Sequence, residues 1–277
     1  MELYHDISRR TGRLITKRYS TSFSLGTRLL SKDLRDAIYS IYGFVRLADE
    51  IVDTFHDHDK AALLEQFRTE TWVAIDKQIS LNPVLQAFQR VVNQYNIDHH
   101  YIEAFFDSME MDLNKSVYNS KGYQEYIYGS AEVVGLMCLQ VFCRGDREQF
   151  EQLKAPARRL GAAFQKVNFL RDLNEDYQEL GRTYFPNLDL TTFTPSAKAQ
   201  IEAEIDADFK AAWEGIKALP KGSKLGVYVA YIYYLNLFKR IRNKPGEVLF
   251  NERVRVPNYY KLYLMAASYM KYRFRMV

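Results

Sequence analysis

Apolar residues in this chain recur at helical spacing almost from end to end, without the two-residue alternation of a half-buried strand. The punctuation agrees. Ser31 reads as an N-cap, followed by Asp33 in the first turn and a periodic run to about Thr54. Asn82-Pro83 sets a cap before a proline at the first helical position and opens a helix to about Tyr95. Thr194-Pro195 repeats that signal for a helix stopping near Leu219-Pro220. Ser223 begins another, ended by Lys244-Pro245-Gly246, and Pro257 starts the last. Residues 98–117, 123–143 and 147–180 keep the same period. Segment 227–238 is apolar almost all round, which suits the inside of a bundle or the wall of an apolar cavity. Only 181–194 reads as a substantial loop, and no repeat, composition shift or linker divides the chain. The expectation is a single all-α domain over 1–277, a helical bundle with a central apolar cavity.

Composition narrows the class. Of 277 residues, 47% are hydrophobic, which excludes a disordered or low-complexity chain. Thirteen glycines and seven prolines are too few for a collagen or a many-turned β-sandwich. Tyr 21, Phe 17 and Trp 2 make the chain ring-rich. Lys+Arg 38 against Asp+Glu 34 leaves a net +4 with no run of five like charges, so nucleic acid is not an expected partner. The C-terminal Lys271, Arg273 and Arg275 alternate with rings. They suit a helix end whose cations complement the dipole, and also loose peripheral attachment to an anionic membrane surface. Cys138 and Cys143 would lie about 140° apart around a helix, suiting neither a disulfide nor a shared metal. They are expected to be reduced. The first residues lack the apolar core of a signal peptide. The stretches 225–238 and 262–270 are too short to span a bilayer, so a soluble, cytoplasmic protein is expected.

Two clusters carry the candidate chemistry. Asp49 and Asp53 are i,i+4, so both carboxylates project from one helical face, with Arg46 one turn earlier. On an ordinary surface helix this would be a solvated face with an Arg–Asp pair, but this helix is strongly apolar. In the second cluster Asn168, Asp172 and Asp176 form an i,i+4,i+8 stripe beside Arg171. All three offer hard oxygen ligands. Two Asp-x-x-x-Asp helices with flanking arginines suit Mg²⁺ ions bridging carboxylates to a diphosphate, with the arginines taking the remaining phosphate charge.

Three segments together resemble the squalene/phytoene synthase family. Ser20-Thr-Ser-Phe-Ser24 and Ile41-Tyr-Gly-Phe-Val-Arg-Leu-Ala-Asp-Glu-Ile-Val-Asp53 are similar to its first signature. Asn168-Phe-Leu-Arg-Asp-Leu-Asn-Glu-Asp176, followed by Gly181-Arg-Thr-Tyr-Phe-Pro186, is similar to its second. Tyr128-Gly-Ser-Ala-Glu-Val-Val-Gly-Leu-Met137 is similar to a helix between them.

The resemblance implies an isoprenoid-synthase bundle that joins two allylic diphosphates head to head through a cyclopropylcarbinyl diphosphate. It implies that Asp49, Asp53, Asp172 and Asp176 are the metal–diphosphate aspartates. Arg46, Gln165, Asn168 and Arg171 match diphosphate or metal-side contacts, with Asn168 among the metal ligands. Ser20, Ser22 and Tyr42 match positions lining the first substrate's site; Tyr234 and Arg253 match more loosely, because 243–249 departs from the pattern. Glu50 stands where the family commonly has a second aspartate.

The implied reaction is condensation of two geranylgeranyl diphosphates to phytoene with Mg²⁺. The Gly-Arg-Thr-Tyr-Phe-Pro ending and a chain that stops shortly after its last helix, without a membrane anchor, lean that way. NADPH is not expected, since no Gly-x-Gly-x-x-Gly turn is present. The alternatives are farnesyl diphosphate as substrate, giving dehydrosqualene or squalene, and a non-catalytic assembly or lipid-binding relative. The last has no reason to keep both aspartate pairs. His56-Asp-His-Asp59 and His99-His100 read as solvated segments. Met109-Glu-Met-Asp112 reads as bundle wall without a ligand, Asp107 and Asp112 being off a common face.

Overall fold

The computed structural model describes residues 1–114, 118–178, 184–186 and 193–274, with the side chains of 176–178 outside that set. Among them there is no strand. The helices are α1 (Glu2–Tyr19), α2 (Thr21–Arg28), α3 (Lys32–Thr54), α4 (Lys60–Lys77), α5 (Pro83–Tyr95) and α6 (His99–Asn114). Next come α7 (Ser120–Ile127), a π-helical turn (Tyr128–Glu132), α8 (Val133–Cys143), α9 (Arg147–Arg171) and α10 (Leu173–Gln178). The chain closes with α11 (Pro195–Ala218), α12 (Lys221–Arg242), α13 (Gly246–Leu249) and α14 (Asn258–Arg273).

The proline-marked starts of α5 and α11 lie where the sequence puts them, and Asn82 and Thr194 cap them by accepting from Val84 N and Ala197 N. Ser31 takes the N-cap position of α3, although its hydroxyl makes no capping bond. Helix α12 begins at Lys221 rather than Ser223, its N-cap position held by Pro220. Four helices have no counterpart in the sequence reading, α1, α2, α4 and the short α13. Helix α1 is rich in arginine, and its buried seam is Ser8, Gly12 and Thr16, spaced i,i+4,i+8. A seam of small residues packs by backbone proximity, which hydrophobic periodicity does not register. A Cβ on Gly12 would come within 2.8 Å of Tyr39 O on α3.

Two expectations are corrected. The helix expected over 147–180 breaks at Asp172, whose φ and ψ of −99° and 9° leave the helical region. Neighbouring side chains on a regular helix point about 100° apart. The break lets Arg171 fold onto Asp172 and pair with it through Nε at 2.8 Å. The second concerns length. Ser120–Cys143 runs as 24 continuous helical residues, apolar enough to cross a membrane by length and composition. Lys121, Gln124, Glu125 and Glu132 conceal it in the sequence. Most of this run is buried inside the protein, against α6 and α9, as a core helix would be.

The core has two parts. On one side of α3, Phe44 stacks on Phe88 at 3.8 Å, with Phe67, Phe105 and Phe106 around the pair, binding α3 to α4, α5 and α6. This fixes the rotation of α3, leaving its other face to a cavity. Helix α9 is held from behind. Lys166 is buried and pairs with the buried Asp208 of α11 at 2.9 Å, and Arg159 reaches the same carboxylate at 3.1 Å. With Lys166 facing α11, Gln165 is turned to the cavity wall.

The π-turn is wedged between α6 and α9. A Cβ on Gly129 would stand 2.3 Å from Ala104 O and 2.6 Å from Ser108 Cβ, and Glu132 ties the turn to α9 through Arg158 at 2.6 Å. Gly129→Ala is therefore expected to destabilise the fold by about 1–3 kcal/mol through overpacking. A urea-unfolding midpoint unchanged from the parent would contradict that close approach.

Candidate active site

Helices α2, α3, α8, α9, α11 and α12 surround a cavity of about 270 Å³. Its wall is almost wholly apolar; Thr27, Tyr42, Ser130 and Gln165 are its polar members. Leu30, Ile38, Phe142, Leu153 and Leu219 all lie at the helix ends away from the aspartates and close the floor. On α9 the cavity wall runs from Leu153 to Gln165, twelve residues or about 18 Å of helix. Phe23, Tyr42 and Phe164 put rings on the wall. Phe23 stacks on Tyr42 at 4.7 Å, and Phe164 on Tyr234 at 3.9 Å.

One side of the mouth belongs to α3. Arg46 grips Asp49 at 2.8 Å and Glu50 at 2.5 Å while its guanidinium lies over the Tyr19 ring, 4.4 Å from the centroid. Glu50 thus has a part in the mouth: it holds the arginine. The Asp49 carboxyl is pushed up to about 7, first by withdrawal from water and then by the Asp53 carboxylate, with Arg46 opposing and Asp112 and Glu50 adding. Tyr42 is hydrogen-bonded to Ser20, and burial pushes its phenol up to about 12 against the pull of Arg46. Ser20 also caps α2, accepting from Phe23 N at 3.2 Å, and Ser22 follows, half-buried in the first turn.

The other side belongs to α9 and the segment before α14. Asp172 is held by Arg171 and by Arg253, whose Nε lies 2.9 Å away; Arg253 also reaches Glu175 at 2.9 Å. Burial works against the Arg171 charge, but Asp172 keeps the guanidinium above its ordinary value. Tyr234 lies close enough to both Tyr42 and Arg171 to perturb each electrostatically, placing it between the two sides. Gln165 donates to Ser130 Oγ at 3.3 Å, and Asn168 Oδ1 is buried without a hydrogen-bond partner. Asp176 has its backbone in α10, but its side chain lies outside the described residues, as do residues 179–183 and 187–192, most of the loop expected over 181–194.

The sequence reading passed over Asp112. It is buried, and the phenols of Tyr126, Tyr118 and Tyr184 donate to it at 2.7, 3.2 and 3.4 Å. Tyr184 in turn stacks on Phe169 of α9 at 4.2 Å, fastening the Tyr-Phe-Pro end of the second motif beside the cluster. Inferring Asp112's role needed the partners, which come from three separate segments. Its neighbour in the sequence argument, Asp107, points outward to Arg68. His56–Asp59, His99 and His100 are not at the mouth: His56 contacts Lys60, Asp59 caps α4 and His99 packs near Trp72. Cys138 and Cys143 are unpaired; burial raises both thiols, to about 12 and about 11, so neither is a ready nucleophile.

The mouth suits a cation carrying its own oxygens. No three His, Cys, Asp or Glu gather closely enough among the described residues to hold a metal alone. Yet the Asp49 carboxyl is pushed up by burial and by Asp53, and Asn168 Oδ1 is a buried acceptor with no hydrogen-bond partner among the described residues. A divalent ion sharing phosphate oxygens would supply what both lack.

Residues 16–260 match the family model described as squalene/phytoene synthase. The chain belongs to the squalene/phytoene synthase family. It is 28% identical to phytoene synthase of Arthrospira platensis, over 94% of this chain and 92% of that one. It is 32% identical to presqualene diphosphate synthase of Sinorhizobium fredii, over 73% of this chain and 67% of that one. A crystal structure of a dehydrosqualene synthase with ligand superposes at a TM-score of 0.83, at 22% identity, covering 97% of this chain and 98% of that one, and so shares the fold. Membership makes the protein a prenyltransferase-type enzyme of head-to-head isoprenoid condensation, acting on prenyl diphosphates.

The raised Asp49 value has a measurable sign. Its cost to the metal-free fold is full above about pH 7, shrinks as pH falls through that value, and is gone below the ordinary value of 3.8. Because the side chain remains 36% exposed, the cost is discounted to about 1 kcal/mol, worth about 2–4 °C in a chain of this size. Asp49→Asn is therefore expected to unfold about that much higher than the parent at pH 8 in chelator, the gap closing toward pH 4. A gap independent of pH would exclude the assignment.

Proposed function

We propose that this protein condenses two molecules of geranylgeranyl diphosphate to phytoene, with Mg²⁺ and without a nicotinamide. The observation that carries the reading is the cavity: apolar, lined by rings, and bordered at Val45 and Gln165 by residues one helical turn from Asp49 and Asn168. When bound, Mg²⁺ neutralises the diphosphate and makes it a better leaving group. Asp49 and Asp53 on one side, and Asn168, Asp172 and Asp176 on the other, are the residues that would hold it.

The chain's own groups do the rest. Arg46, Arg171 and Arg253 stand ready to exchange carboxylate partners for phosphate oxygens, a bidentate match that orients the leaving group. Ser20, Ser22, Tyr42 and Gln165 border the first allylic chain where it enters the cavity. The Phe23–Tyr42 and Phe164–Tyr234 stacks present π faces to an allylic cation, and the dry wall below keeps water from quenching it. Asp112 and its tyrosines are positioning residues that fix α6, α7 and the Tyr184 segment around the mouth.

A cavity wall that runs about three turns along α9 suits the C20 substrate. The similarity to a presqualene diphosphate synthase supports a second reading, the same chemistry on farnesyl diphosphate.

Incubating the protein with Mg²⁺ and each diphosphate, with and without NADPH, separates these by product mass. The expected product is phytoene from the C20 substrate, unchanged by NADPH. A C30 hydrocarbon or C30 diphosphate alone would establish the second reading, and no product from either would end both. Chelator should abolish turnover and Mg²⁺ restore it. Asp49→Asn or Asp172→Asn should lower kcat by about 10³-fold, the scale of several kcal/mol of charge stabilisation. Full turnover in either variant would remove the metal assignment.

A further inference from the structure

Helix α14 turns its wrong side to water. Tyr259, Leu262, Tyr263, Tyr269, Met270 and Phe274 are all exposed, from 49% to 74%. At 100° per residue they fall within an arc of about 140°, a stripe running the length of the helix. The opposite side, with Leu264 and Ser268 buried, packs on α12, and Tyr233 donates to Lys261 O at 2.7 Å. The helix is therefore anchored, and its outer stripe is apolar by composition rather than by fraying. No aspartate or glutamate occurs between Arg253 and Phe274, whereas the exposed Arg255 precedes the stripe and the exposed Lys271 and Arg273 lie at its end.

We propose that the outer face of α14 docks on the surface of an anionic lipid bilayer. Apolar and aromatic side chains along one face, with cations at both ends and no acid among them, match the interface between acyl chains and anionic headgroups. A second copy of this chain is a poorer occupant. Two such faces laid together, parallel or antiparallel, would set cations against cations with no carboxylate of the helix to answer them. The placement also has a direction. Arg253, five residues before α14, pairs with Asp172 at 2.9 Å, so the start of α14 stands beside the mouth of the cavity. Docking there would bring the mouth close to the bilayer surface, where a hydrocarbon product can leave without crossing water. That last consequence rests on the proposed reaction; the docking itself does not.

The test is co-sedimentation of the full chain with vesicles of phosphatidylcholine alone or mixed with phosphatidylglycerol. The parent should bind the mixed vesicles, less so in high salt. The L262S/Y263S/M270S variant should bind at least about tenfold more weakly. V73S/L81S, which removes exposed apolar side chains elsewhere, should bind like the parent. K271E/R273E should lose the preference for phosphatidylglycerol. Circular dichroism reports whether each variant is folded, and turnover on detergent-dispersed substrate separates lipid docking from the reaction. A parent that ignores the mixed vesicles, or an L262S/Y263S/M270S variant that binds them equally, would overturn the proposal. So would a parent dimer in sedimentation velocity that this triple substitution dissociates.

Discussion

Everything in this bundle answers to one electrostatic difficulty: carboxylates must be held at the rim of an apolar cavity. Asp49, Asp53, Glu50 and Asp112 on one side repel each other and resist leaving water, as the raised Asp49 value records. Arginines meet the difficulty without filling the cavity. Arg46 spans Asp49 and Glu50, Arg171 and Arg253 converge on Asp172, and three phenols enclose Asp112. A guanidinium can give up a carboxylate for a phosphate at little cost, because both present paired oxygens to its fork. The resting contacts are thus placeholders for those a substrate would make.

The rest of the fold keeps the two charged helices correctly rotated. Helix α3 is clamped on its far side by the Phe44–Phe88 stack, and α9 by the buried Lys166–Asp208 pair. Neither clamp touches the mouth. Each leaves a single face of its helix free, and the aspartates occupy it. A buried ion pair adds little to stability beyond what well-packed apolar side chains would, so its value here is orientation.

Much of this was legible in the sequence. The spacing of Asp49 with Asp53, and of Asn168 with Asp172, puts each set on one helical face. Asn82-Pro83 and Thr194-Pro195 located two helix starts to the residue. What escaped did so for physical reasons. Helix α1 packs through Ser8, Gly12 and Thr16, which carry no hydrophobic signal. Asp172, where the helix breaks, pairs with Arg253, eighty-one residues away, as well as with Arg171. Asp112 gains its surroundings from Tyr118, Tyr126 and Tyr184, a convergence that spacing along one helix does not encode.

The π-turn at Tyr128–Glu132 joins two helices that look in different directions. Upstream, Tyr123 and Tyr126 of α7 face the aromatic cluster around Asp112 and Phe169. Downstream, Val134, Cys138 and Leu139 face the cavity. A π-turn holds one residue more than the α-helical path, so it acts as a phase shifter. Loss of a single residue there would restore a regular helix and turn α7 by about 100° relative to α8. The tyrosines would swing away from Asp112 while the cavity wall stayed in place. One surplus residue thus lets one continuous helix serve both the polar mouth and the oily interior.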